Sequence, residues 1–140
     1  MFTSATSRGA YAYKRASVES SVELADPHKL VVLLFEALQR AIGGAKLSMQ
    51  AGNVSAKCEA ISKAIRILEE GLKAPLDLEN GGTIASNLDA LYGYCVNRLV
   101  FANARNDMAA LDEVARLIEP VVNGWQQIEG KGPAYLRPVQ

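Results

Sequence analysis

The sequence predicts an all-α fold, an antiparallel four-helix bundle with an N-terminal arm. Three observations carry that expectation. Four separate stretches each keep one apolar stripe at helical period. Two of the breaks between them are short, at Gly52-Asn53 and at Asn103 to Asn106, which favours antiparallel neighbours. The composition is 49% hydrophobic but only 6% aromatic, and it is rich in Ala and Leu, which suit helices. A chain of 140 residues suffices for one domain around one core.

Residues 1–25 read as a mobile arm of small and polar residues with no sustained stripe. Tyr11, Tyr13, Val18 and Val22 give this arm apolar anchors that a purely solvated tail would lack. The bundle is expected over residues 26–130. Asp26 is the N-cap of helix one, and Pro27 stands where a missing N–H costs nothing. Leu30, Val31, Leu34, Phe35, Leu38, Ala41, Ile42, Ala45 and Met49 form its core face, while Val32 and Leu47 project near the polar side. Gly43-Gly44 inside this helix marks close packing or a kink. Gly52 ends the helix and Asn53 caps the next.

Helix two is expected from about Val54 to Lys73, with Cys58, Ile61, Ala64, Ile65, Leu68 and Leu72 inward. Ala60, Ala64, Ile67 and Gly71 share a flank, where small residues around one isoleucine make a shallow groove or a tight helix contact. Pro75 stops the helix, and Gly81-Gly82 supplies the freedom for a turn. From Thr83 onward the apolar residues Ile84, Leu88, Leu91, Tyr92, Cys95, Leu99 and Ala102 lie on one face. Tyr94 and Phe101 oppose that face, with Arg98 at its edge. A helix apolar on two sides is either central in its fold or has a partner on its outer side. Asn106-Asp107 caps helix four, whose stripe runs through Met108, Leu111, Val114, Ala115, Ile118, Val121, Val122 and Trp125. Pro120 is expected to bend it. Residues 131–140, with Pro133 and Pro138, read as a loose tail.

No constellation for catalysis emerges. Lys+Arg and Asp+Glu are balanced at 15 each, which argues against nucleic-acid binding by phosphate neutralisation and against attachment to anionic lipid. Cys58 and Cys95 read as small buried hydrophobes. No Cys-x-x-Cys and no second histidine support a metal site or a Cys–His dyad, and no cofactor is expected. Asp77 and Glu79 sit in a turn without a partner acid or base. No apolar run is long enough for a signal peptide or a membrane span, so the chain is expected to act in the cytoplasm. His28 could accept a phosphoryl group, as in histidine phosphotransfer bundles, but it follows Pro27 in the first turn. A polar residue at a helix start is the plainer reading.

Four pieces of sequence in order resemble the flagellar export chaperone family FliS. They are S-V-E-S-x-V-x-x-x-x-P-H-K-L from Ser17, K-A-I-x-I-L-x-x-G-L from Lys63, L-D-L-E-x-G-G-x-I-A-x-N-L-x-A-L-Y-x-Y-x-x-x-R-L from Leu76, and A-N-x-R-N-D from Ala102. The chain departs from the family pattern at Gly93, Cys95, Phe101 and Pro120. The resemblance implies a chaperone, not an enzyme, that binds the disordered C-terminal segment of flagellin before export. It also implies contact with the flagellar export apparatus. Tyr13 matches the family's arm tyrosine, and the family's arm is thought to cover part of the flagellin site in the free protein. The candidate flagellin-binding residues are Tyr13, Ile67, Tyr94, Arg98 and Phe101. A structural helical adaptor whose second apolar faces support a homodimer is the alternative from a different class.

Overall fold

A computed structural model of the chain describes residues 26–128. The arm, with Tyr11, Tyr13, Val18 and Val22, and the tail at 131–140 lie outside the described residues. Within them run four helices: α1 (Pro27–Ala51), α2 (Val54–Arg66, prolonged by a π-helical stretch, Ile67–Lys73), α3 (Gly82–Arg105) and α4 (Met108–Gln126). No strand element occurs among the described residues. Helix α1 packs along α2, α2 along α3, α3 along α4, and α4 returns to α1. This is an up-and-down bundle with each helix beside its chain neighbours.

The helix ends follow the capping chemistry. Asp26 Oδ1 accepts from His28 N at 3.0 Å, Asn53 Oδ1 from Ala56 N at 3.1 Å, and Asp107 Oδ1 from Ala110 N at 3.3 Å. Gly52 closes α1 in the left-handed region, at φ 74°. Asn106 does the same for α3, at φ 51°. In the α2–α3 turn, Asp77 Oδ1 accepts from Glu79 N and Asn80 N, which accounts for that carboxylate structurally.

The core gathers Leu34, Phe35, Leu38, Ile61, Leu68, Leu99, Leu111, Val114, Ile118 and Trp125, among others. Each fully buried Leu or Ile contributes about 1.5–3 kcal/mol before entropy is counted. Several expectations need correction. Ile84 is 58% exposed, because it lies in the first turn of α3, at the end of the bundle. Ala85 takes the inward place, so the buried stripe of α3 is Ala85, Tyr92, Cys95, Val96, Leu99 and Ala102. Val32 is half-buried and packed on the core, whereas Leu47 is exposed. Cys58 is half-buried, not core.

Close helix contact falls at Gly71, not at Gly43-Gly44. A Cβ on Gly71 would lie 3.1 Å from Leu34 Cδ1, while Gly43 and Gly44 have nothing within 4 Å. Gly71 belongs to the π stretch, where Ala74 N bonds Glu69 O at 3.1 Å, five residues back. Ile67, Leu68, Gly71 and Leu72 are all buried within this stretch. Helix α4 runs unbroken through Pro120, which is exposed.

Candidate functional site

The outer side of α3 carries the candidate surface. Residues Tyr94, Arg98, Phe101 and Arg105 follow one another at helical spacing along it. The two-residue Asn106-Asp107 connection sets the axial register of α4 beside them and brings Glu113 into reach. Glu113 is the residue that links the group. Its Oε2 accepts from the Tyr94 hydroxyl at 2.5 Å, and its Oε1 accepts from Arg98 Nε at 2.8 Å. The Tyr94 phenol is pushed above its ordinary range, chiefly because its hydroxyl bonds Glu113. Glu113 is held below the usual carboxylate range, first by that same hydrogen bond and also by Arg98.

The Arg98 guanidinium lies 4.7 Å from the centre of the Phe101 ring, and Arg105 approaches the same ring at 5.2 Å. Phe101 is half-buried against the core edge, whereas Tyr94 is 45% exposed. Ala90, Ala104 and Val100, the last 53% exposed and about 120° around the helix from Tyr94, stand elsewhere on the solvent side of α3. The result is a shallow apolar strip on a rigid helix, edged by guanidinium groups.

The structure thus brings Tyr94, Arg98 and Phe101 together. It separates Ile67 from them. Ile67 is 0% exposed within the core, so it is a packing residue and offers no surface to a partner in this form. The shallow groove on α2 is instead a tight helix contact, with Leu34 against Gly71. Tyr13 lies outside the described residues. Glu113 was not singled out from sequence, although it is the only carboxylate that bonds both Tyr94 and Arg98 among the described residues.

His28 is accounted for structurally. Its ring stacks on Trp125 with centroids 5.2 Å apart and an interplanar angle of 10°. His28 Nε2 donates to Trp125 O at 2.8 Å, and Trp125 Nε1 donates to His28 O at 3.1 Å. The clasp engages Nε2 and one face of the ring, which gives His28 a structural role in joining α1 to α4. Elsewhere, Lys57 is a buried cation that sequence reasoning missed. Its Nζ donates to Asn103 O at 3.0 Å and to Asn106 Oδ1 at 2.6 Å, tying α2 to the end of α3. Its spacing with Ile61, Ala64 and Leu68 was the available signal.

Among the described residues no group of three or more His, Cys, Asp or Glu could hold a metal ion. None of the described helices is long and apolar enough to cross a membrane.

Comparison with known proteins adds the family. The family model described as Flagellar protein FliS matches residues 9–132. The chain is 48% identical over 126 residues to the Flagellar secretion chaperone FliS of Salmonella typhimurium, covering 90% of this chain and 93% of that one. It is 43% identical over 118 residues to the protein of the same name in Vibrio cholerae, covering 84% and 85%. It is 41% identical over 120 residues to the one in Escherichia coli, covering 86% and 88%. With a helical bundle on one side and these matches along most of its length on the other, the chain belongs to the FliS family of flagellar proteins.

Proposed function

We propose that this chain is a cytoplasmic export chaperone that binds the disordered C-terminal segment of flagellin. Binding covers the apolar surface that would otherwise drive subunits to assemble too early, and it holds the segment in a state open to flagellar type III export. The observation that carries this reading is the outer side of α3, where exposed Tyr94 and the edge of half-buried Phe101 share one face, on a chain of the FliS family. Exposed apolar residues grouped on one helix face suit an amphipathic segment that folds as it docks. The work is done by binding energy alone, and no reacting group is assigned. Handover would involve the flagellar export apparatus.

The arm enters the same reading. Tyr11, Tyr13, Val18 and Val22 are proposed to dock where flagellin docks, so that flagellin displaces them. Apparent affinity then falls by the fraction of molecules in which the site is covered.

Co-purification with full-length flagellin, compared with flagellin cut just before its C-terminal segment, tests the reading. Capture of both forms alike refutes it. Tyr94→Ala should weaken peptide binding about tenfold, the order expected for an aromatic interface anchor. The melting temperature should stay nearly unchanged, because the side chain is half in solvent. A collapse in melting temperature would instead make Tyr94 a structural residue.

A further inference from the structure

The two guanidinium groups on the Phe101 ring are not equivalent. Arg98 is committed, since its Nε bonds Glu113. Arg105 is exposed, and among the described residues it joins none of the ion pairs. The carboxylates nearest along the chain are already engaged. Asp107 caps α4 through Ala110 N, and Asp112 is held by Lys46 at 2.7 Å on the α1 side. Arg116 adds its charge beside Glu113. Along the α3–α4 seam, Glu113 is the carboxylate engaged with Arg98, Asp107 and Asp112 are held elsewhere, and Arg105 keeps only its contact with the Phe101 ring among the ion pairs and ring contacts of the described residues. A guanidinium over a ring keeps its in-plane N–H fork for a second partner, and that fork matches a carboxylate.

We propose that Arg105, poised at the Phe101 ring, receives a carboxylate of the bound segment. The α3 face then selects an amphipathic helix with an acidic side chain flanking its apolar stripe. This rests on the flagellin reading above and adds which chemistry the segment must present. The apolar stripe covers Tyr94 and the Phe101 edge, and the acidic flank supplies the carboxylate that Arg105 does not pair with among the described residues. As a rim contact, the pair sets encounter rate and salt dependence more than it sets the depth of binding.

The test compares two peptides by fluorescence anisotropy: the C-terminal segment of flagellin, and the same peptide with Asp and Glu replaced by Asn and Gln. At low salt the native peptide should bind about three- to fivefold more tightly, the range of an exposed ion pair. High salt should shrink that ratio. Arg105→Gln should abolish the discrimination without shifting the melting temperature, and Arg105→Glu should reverse it. Equal binding of both peptides to the unaltered chain overturns the inference and leaves the flagellin reading standing. Discrimination that survives Arg105→Gln overturns it as well. Failure of both peptides to bind refutes the flagellin reading, and this inference with it.

Discussion

Lys57 is the sharpest test of how the bundle is held. Lys57→Met keeps the aliphatic stem and removes only the ammonium group. That group makes two charge-assisted hydrogen bonds, to Asn103 O and Asn106 Oδ1. Such bonds contribute about 1.5–3 kcal/mol each. Against this stands the relief of no longer burying an ammonium group, which offsets a large part of the loss. A net destabilisation of about 1–2 kcal/mol follows, or a melting temperature lower by about 3–10 °C. Asn106→Gly isolates one of the two bonds. Asn106 already sits at φ 51°, where glycine is comfortable, so the substitution removes Oδ1 without straining the backbone. Urea titrations of the two single variants and the double variant then close a cycle. The expected coupling is about 1 kcal/mol. The slope of the transition should stay constant while its midpoint moves. A midpoint unchanged or raised in Lys57→Met, with no coupling in the cycle, would refute the argument. Water in the adjoining cleft of about 290 Å³, lined by Met49, Asn53 and Val54, would then already satisfy the charge.

Further outcomes follow from the packing. Ile67→Ala should destabilise by about 2–5 kcal/mol in chemical denaturation, as for any fully buried isoleucine, with peptide affinity of the folded fraction unchanged. Gly71→Val should destabilise by about 1–3 kcal/mol by crowding Leu34. Gly43→Ala, with open space around it, should stabilise α1 by up to about 1 kcal/mol, and calorimetry should show opposite signs for the two. Burial pushes the Cys95 thiol from 9.0 up to about 11, so its contribution to stability is whole below pH 9.0 and is lost as pH rises toward 11. Cys95→Ala should flatten that alkaline decline in a pH series of urea midpoints. At neutral pH a thiol reagent should label half-buried Cys58 first and Cys95 only on unfolding.

The helices were legible because their punctuation is local. Asp26, Asn53 and Asp107 act through bonds to residues two or three positions on, and Gly52 through its own backbone. Tyr94, Arg98 and Phe101 were legible as a group because α3 alone places them on one side. What failed depends on neighbours. Ile84 fits the projected stripe but lies where the bundle has ended. The flank of Ile67 could be a groove or a helix contact from spacing alone, and only the neighbouring helices, which bury it, decide for contact. Glu113 belongs to another helix, and no periodicity within α3 points to it. Lys57 is buried because two acceptors at the end of α3 receive its ammonium group, a pairing across 46 and 49 positions of chain.

The His28–Trp125 clasp has a consequence for reach. It pins the first turn of α1 to the last turn of α4, across 97 positions of chain, so the four helices form a closed ring in space. A permutant joined there and opened at Gly52-Asn53 would keep every packing seam and change only covalent order. The clasp also fixes where the arm is tethered, at the pole from which α3 begins. Tyr94 stands about 18 Å up α3 from Gly82, at 1.5 Å per residue. Twelve residues separate Tyr13 from the pole, and a chain of that length can reach at most about 40 Å. That length is enough to reach Tyr94, so under the proposed docking the arm would be an intramolecular competitor at an effective concentration that dilution of the chaperone does not lower.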